Sequence, residues 1–158
     1  PPVDKDMRRL PGVIAAAESW FLKPEADHLL GSPADETPSV PCDAQPEELD
    51  LAIAIDRIET HTTLKVGGLV SKRAGLRSFV ADKSPVVGME PGLKGFCWCA
   101  GQGGYGIQTA PGLGRVTAAM ATGDTFPEDL AALGLSAVDL APDRPALKNA
   151  ALFTGDEG

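Results

Sequence analysis

The chain has 158 residues, 43% of them hydrophobic and 23% charged, and carries a formal net charge of −8. That length suits one domain of ordinary size, and the composition is that of a folded globular protein and not of a disordered chain. The negative charge argues against a nucleic-acid-binding protein and against a polybasic membrane anchor, and no apolar run approaches the roughly 20 residues that span a bilayer.

The start of the chain and its cysteines give two further expectations. The chain opens on Pro1-Pro2 without an initiator methionine or a signal-peptide pattern, so we expect it to be cut from a longer protein. Cys97 and Cys99 are separated by one residue, whereas redox and zinc motifs have two between their cysteines. With Cys42 they are predicted to be buried free thiols without a metal, in a cytoplasmic protein.

Antiparallel strands are predicted at the start of the chain, followed by a loop. Apolar runs at residues 13–17 and 20–22 indicate strands, and residues 23–27 are predicted to turn toward another strand at 28–30. Residues 31–46 contain Pro33, Pro38, Pro41 and Pro46 and are therefore expected to form a loop.

A long helix is predicted from Pro46 to about Leu64. Proline suits the first helical position, and the two glutamates that follow it complement the positive end of the helix dipole. Apolar residues spaced for one helix face form the predicted core stripe: Leu49, Leu51, Ala52, Ala54, Ile55 and Ile58. We interpret His61, near the helix end, as a surface residue and not as a catalyst.

Short strands and two helices are predicted in the second half of the chain. Strands are expected at residues 70–73, 76–80, 85–88 and 96–100, the last of them buried on both faces. Trp98 in that strand is interpreted as a core residue. A helix is expected from about Ala110 to Thr122, with Pro111 early in it and Gly123 as its stop. Its predicted apolar stripe contains Val116, Ala119 and Met120. A short helix is expected over residues 126–133, with Pro127 as its first helical residue, and the tail beyond Pro142 is predicted to fray.

Glycines at positions 101, 103 and 106 match the dinucleotide-binding pattern G-x-G-x-x-G between a predicted strand and a predicted helix. That motif requires a second strand that ends in an acidic residue, whereas Asp124 follows directly on Gly123. We therefore reject a Rossmann unit. The glycines could still let the backbone lie against a planar ligand at a helix start, or they could form a tight turn packed on protein.

Three motifs in a fixed order carry a family resemblance. They are Ala74-Gly75-Leu76-Arg77-Ser78-Phe79, then Pro85-Val86-Val87-Gly88, then Gly101-Gln102-Gly103-Gly104-Tyr105-Gly106-Ile107-Gln108-Thr109-Ala110-Pro111. Together they resemble the C-terminal signature of the D-amino-acid oxidase-like flavoproteins, which include glycine and sarcosine oxidases and bacterial D-amino-acid dehydrogenases. The resemblance covers about residues 10–123.

The resemblance implies part of an α/β flavoprotein fold, with an α+β character in this chain. Residues 1–66 would belong to the substrate-binding domain, with its antiparallel strands and a long helix. Residues 67–123 would form the C-terminal strands and helix of the FAD-binding domain, and residues 124–158 a C-terminal helix and tail.

The resemblance also implies which residues meet the cofactor and the substrate. In this family the glycine-rich turn and the following helix start approach the N1 and C2 carbonyl edge of the flavin. That role carries over to Gly101, Gln102, Gly103, Gly104, Tyr105, Gly106, Ile107 and Gln108. The arginine of the family's Gly-Leu-Arg motif commonly binds the substrate carboxylate, which carries over to Arg77, and Tyr105 is a second candidate for substrate contact.

The chemistry of the family accounts for both sites. Oxidation of an amino acid moves a hydride to flavin N5 and leaves negative charge at the N1–C2 edge, which a helix N-terminus stabilises. A guanidinium binds a carboxylate through two parallel hydrogen bonds and thereby orients the substrate. The amine can bind unprotonated, so no catalytic acid or base is assigned.

Two departures from the family pattern bear on the cofactor. Gln102 stands where some members carry a histidine, so a covalent flavin link there is not expected. The Rossmann motif for the ADP half of FAD is absent, so we expect it in a missing N-terminal half or in a partner chain. This fragment alone is expected to bind FAD weakly or not at all, and to be inactive.

The sequence therefore predicts an FAD-dependent oxidoreductase acting on the C–N bond of a D-amino acid, glycine or sarcosine-type amine. Oxygen or a respiratory quinone would accept the electrons. One alternative is a non-catalytic subunit or binding module that retains the fold and partners a separate FAD-binding chain. Another is a small self-contained domain that uses no flavin.

Overall fold

The computed structural model describes residues 7–148, which form two compact units. The first unit ends at Leu76 and the second begins at Arg77. Each combines helices with a small antiparallel sheet, so the predicted α+β character is confirmed. The predicted boundary between a substrate-binding and an FAD-binding domain, after residue 66, stays a prediction.

The first unit contains a three-stranded antiparallel sheet preceded by a 3₁₀ helix over Met7–Arg9. Its strands, in the order β1-β2-β3, are β1 (Val13–Ile14), β2 (Phe21–Glu25) and β3 (His28–Ser32). The predicted turn over 23–27 is too long, because Glu25 still pairs with His28. Pro24 is tolerated in β2 because β1 pairs only with Phe21 and Leu22. On the β1 side of the sheet Pro24 therefore has no strand partner that would need the N–H that proline lacks.

Helix α1 (Glu48–His61) packs on this sheet. It is shorter than predicted at both ends: Glu47 is its N-cap, and Thr62 ends it with extended backbone and an N–H that donates to the Ile58 carbonyl at 3.0 Å. Ile58 forms a core with Trp20, Leu22 and Leu64.

The apolar stripe of α1 is narrower than predicted. Ala54 and Ile58 are buried, whereas Leu49 is 68% exposed. At Gly31 in β3 a Cβ would stand 2.5 Å from Ile58 Cδ1, so glycine at this position permits the close approach of helix and sheet.

The prediction of strands at residues 70–73 and 76–80 is wrong, because this stretch is irregular in the structure. Its apolar residues are largely exposed, with Leu69 at 54%, Val70 at 74% and Leu76 at 50%. Apolar residues form a strand where one face can be buried and a neighbouring strand pairs with them, and these exposed side chains have no buried face. Phe79 and Val80, at the end of the stretch, are half-buried.

The second unit is built on a two-stranded antiparallel sheet, β4 (Val86–Met89) and β5 (Cys97–Ala100). Helix α2 (Gly106–Thr122) packs against it, with Val87, Leu113, Val116 and Leu140 in the core. Three short helices follow: α3 (Glu128–Ala131), α4 (Ala137–Leu140) and α5 (Pro145–Lys148).

Several predictions for this unit are corrected by the structure. Strand β5 is not buried on both faces: Trp98 is 38% exposed and donates its indole N–H to Glu90 Oε2 at 2.7 Å, so it is not a core residue. The three cysteines are free as predicted, but Cys42 and Cys99 are exposed. Helix α3 covers less than residues 126–133, because Pro127 is its N-cap and not its first helical residue.

The end of α2 is as predicted. Gly123 has a φ of 78° and ends the helix, and the Asp124 N–H donates to the Ala119 carbonyl at 2.9 Å. Beyond Pro142 the chain is ordered at Arg144 and α5, contrary to the predicted fraying, and residues after Lys148 lie outside the described range. In that range no helix is long and apolar enough to cross a bilayer.

Candidate functional site

Two positions of the glycine turn (residues 101–106) require glycine. Gly101 and Gly103 have φ angles of 70° and 53°, a backbone region that side-chain-bearing residues rarely adopt. A Cβ would stand 3.1 Å from Val80 Cγ1 at Gly101 and 2.6 Å from Phe79 Cε1 at Gly103. Both positions therefore combine a left-handed backbone with close packing.

The glycine turn rests on residues 77–80, which we call the support segment. The Gly103 N–H donates to the Ser78 carbonyl at 3.0 Å, and the side chains of Phe79 and Val80 lie under the turn. A second hydrogen bond, from the Tyr105 N–H to the Gln102 carbonyl at 3.0 Å, leads the backbone into α2. The support segment thus holds the turn through one backbone hydrogen bond and two hydrophobic side chains.

Helix α2 begins at Gly106, four residues earlier than predicted. Its first turn lacks the side chains that usually cap or complement a helix N-terminus. Its N-cap, Tyr105, makes no side-chain capping hydrogen bond, and the first turn holds no acidic residue. The first N–H groups of a helix have no partner within the helix and lie at the positive end of its dipole. This end of α2 therefore offers hydrogen-bond donors and positive potential to an electron-rich ligand.

The predicted cofactor contacts differ in their exposure. Gly101 is buried, whereas Gly104 and Gln108 are exposed, Tyr105 is 41% exposed and Ile107 is 92% exposed. The side chain of Gln102 turns back along the chain and donates to Cys99 Sγ at 3.5 Å. A ligand could therefore reach residues 104–108, while Gly101 and Gln102 shape the turn from behind.

Arg77 lies beside the turn. Its Nη1 is 3.4 Å from the place a Cβ on Gly104 would occupy, and its guanidinium carbon is 5.0 Å from the centroid of the Phe79 ring. The ammonium of Lys83 lies 6.0 Å from the same centroid. The structure therefore brings together the predicted carboxylate-binding arginine and the predicted flavin-contact glycines, although they are far apart in the chain.

Phe79 is the residue of this site whose role the sequence did not reveal. It fell in a predicted strand and was singled out only as part of the first family motif. In the structure its ring lies against Gly103 and beneath Arg77, and so links the two. A glycine with a left-handed backbone often marks close packing, but it does not say which aromatic residue fills the space.

No metal centre is seen in the described part of the chain: residues 7–148 contain no cluster of three or more His, Cys, Asp or Glu side chains that could hold an ion. The chemistry of the candidate site thus lies in backbone N–H groups, one guanidinium and the exposed residues of the turn.

A glycine turn that opens a helix beside an arginine defines a class of site suited to an anionic or electron-rich ring system with a carboxylate ligand nearby. The family model described as FAD dependent oxidoreductase, DAO, matches residues 2–120 of this chain. The match spans well over half of the chain and includes the support segment and the whole glycine turn. The chain therefore belongs to the DAO family of FAD dependent oxidoreductases.

Proposed function

We propose that this chain is the C-terminal part of an FAD-dependent oxidoreductase that oxidises the C–N bond of an amino acid or secondary amine. The substrate class is that of a D-amino acid, glycine or sarcosine, each of which carries a carboxylate next to the amine-bearing carbon. One observation carries the proposal: the guanidinium of Arg77 lies directly beside Gly104, at the open start of α2.

The residues of the turn fit a flavin in their shape and polarity. Gly104 exposes backbone without a side chain, and the uncapped helix start presents N–H donors. We assign the cofactor contacts to Gly103, Gly104, Tyr105, Gly106, Ile107 and Gln108, with Gly101 and Gln102 shaping the turn. When bound, FAD would supply the acceptor for the hydride removed from the substrate carbon. The α2 N-terminus would stabilise negative charge on the nearby ring edge.

Arg77 is assigned to the substrate carboxylate. An arginine whose guanidinium lies over an aromatic ring is held in place, and its in-plane N–H groups can bind a carboxylate through two parallel hydrogen bonds. Such a pair would orient the substrate and fix which hydrogen faces the cofactor. Tyr105, which is 41% exposed at the same turn, is the second candidate for substrate contact.

The remaining parts of the enzyme are proposed to lie outside this sequence. No G-x-G-x-x-G unit with a following acidic strand occurs here to bind the ADP half of FAD. We assign residues 1–66 to the substrate-binding domain, 67–123 to the FAD-binding domain and 124–158 to the C-terminal helix and tail. Oxygen or a respiratory quinone would reoxidise the cofactor, and we propose a cytoplasmic location.

The proposal is tested with the full-length protein in which this chain occurs. A visible absorbance spectrum should show bound oxidised flavin, and anaerobic addition of D-amino acids, glycine and sarcosine should bleach it with at least one of them. A flavin spectrum that no carboxylate amine bleaches would favour the non-catalytic subunit. A colourless protein that does not take up added FAD would contradict the flavin site itself.

A further inference from the structure

Arg144 is the only charged residue that is buried among those the structure describes, with 6% of its surface exposed. Its Nε and Nη2 donate to the two carboxylate oxygens of Asp82 at 2.7 and 2.8 Å. Nη2 also donates to the Ser84 carbonyl at 2.7 Å, and Nη1 donates to the carbonyls of Pro85 and Ala141, both at 3.2 Å. One side chain thus links the segment after α4 to residues 82–85.

Residues 81–85 connect the support segment to β4. The Lys83 N–H donates to the Val80 carbonyl at 2.9 Å, and the Ser84 N–H donates to Asp82 Oδ1 at 3.1 Å. Lys83 has a φ of 57°, an unfavourable conformation for lysine that surrounding contacts must maintain. Because this turn is bonded to Val80, the position of Asp82 affects the support segment and, through it, the glycine turn.

The far end of the link is equally well fixed. Leu140, at the end of α4, lies in the core with Val87, Leu113 and Val116. Pro142 packs against β4, with its Cδ 3.2 Å from where a Cβ on Gly88 would stand. Arg144 therefore follows a segment that is packed on the core of the unit and can act as a fixed point for residues 82–85.

We propose that the Asp82–Arg144 ion pair is a positioning element of the site. It holds the support segment so that Ser78, Phe79 and Val80 maintain the glycine turn and keep Arg77 beside Gly104. Its consequence for catalysis rests on the proposed function, whereas its effect on the turn does not. Arg144 lies outside the residues 2–120 that match the family model, so the family match does not account for the pair.

The test compares Asp82→Asn with a matched control in the full-length, FAD-loaded protein. The control is Asp129→Asn, which breaks another two-point ion pair of the same unit, Arg115–Asp129 at 2.6 and 2.7 Å. Hydrogen exchange of the Gly103 N–H reports on its hydrogen bond to Ser78. We expect this exchange to accelerate about tenfold more in Asp82→Asn than exchange of the Val116 amide in the core of α2, which follows global stability alone. Asp129→Asn should leave both amides unchanged.

Two outcomes would overturn the proposal. Unchanged Gly103 exchange would show that the pair does not position the turn. An equal acceleration at Gly103 and Val116 would show that the pair contributes only to global stability. If Asp82→Asn does not fold, Asp82→Glu keeps the charge while displacing the carboxylate, and the same comparison applies.

Steady-state kinetics of the same variants separate this proposal from the proposed function. For the substrate that bleaches the flavin, we expect KM to rise in Asp82→Asn and to stay at the wild-type value in Asp129→Asn. Faster Gly103 exchange with unchanged KM and an unchanged flavin spectrum would contradict the flavin contact of the turn. It would leave the effect of the ion pair on the turn in place.

Discussion

At Gly103 a left-handed backbone and close packing against Phe79 both favour glycine. In Gly103→Ala the new methyl would meet the Phe79 ring at 2.6 Å on a backbone with a φ of 53°. We expect a loss of about 1–3 kcal/mol in the free energy of unfolding, together with weaker FAD binding. Urea denaturation and a flavin titration of the full-length protein measure the two effects.

The matched control for this substitution is Gly112→Ala. Gly112 lies inside α2, and a Cβ there would have open space around it. Alanine is favoured over glycine in a helix interior, so this variant should be about 0.5–1 kcal/mol more stable than the wild type and should bind FAD normally. Equal stability of the two variants would show that the turn is not conformationally constrained.

Asp82 gives a pH dependence with a defined direction. Its hydrogen bonds with the Arg144 guanidinium, supported by the Ser84 N–H, lower the pKa of the Asp82 carboxyl from 3.8 to about 2. The stabilisation from this group is therefore complete above about pH 4 and is lost as the pH falls toward 2. Because the Asp82 side chain is 26% exposed, solvent screening reduces the effect to on the order of 1 kcal/mol.

Chemical denaturation at several pH values between 6 and 2, a range that includes the titration of Asp82, checks this prediction. The difference in unfolding free energy between wild type and Asp82→Asn should be constant from pH 6 to about 4 and should shrink below that. A difference that stays constant down to pH 2 would mean that the Asp82 carboxylate is not stabilised by the fold.

At the level of elements, local sequence patterns predicted correctly those features of a helix that local interactions determine. Gly123 and the stripe containing Val116 and Ala119 placed the end and the buried face of α2 correctly. Its start was placed too late because Pro111 was interpreted as an early helical residue, whereas the structure has it inside the helix, after a first turn that carries no capping side chain.

The support segment shows where the sequence signal fails. Its residues fall within a predicted strand, but no strand among residues 7–148 pairs with them, and the segment is ordered by contacts with the glycine turn and by the Asp82–Arg144 ion pair. These contacts join residues more than twenty positions apart. Such pairings depend on the whole unit, so no local pattern could indicate Phe79 or Arg144 as supporting residues.

At the level of the whole molecule, family membership and site geometry support one another. The family resemblance named Arg77 and residues 101–108 separately, and the structure places Arg77 beside Gly104 with Phe79 between the arginine and Gly103. The motif order alone could not predict that contact. The proposed substrate class rests on this arrangement, because a guanidinium next to the proposed flavin-contact turn would select an amine that also carries a carboxylate.

The most direct test of this account compares an amino acid that bleaches the flavin with its uncharged amide, in wild type and in Arg77→Ala. We expect the variant to lose about 30- to 100-fold in kcat/KM for the acid and little for the amide, because only the acid can form the two-point pair. Arg73→Ala, an exposed arginine in the other unit, is the control and should leave both values unchanged. The same acid-to-amide ratio in wild type and Arg77→Ala would contradict the assignment of Arg77 to the substrate carboxylate.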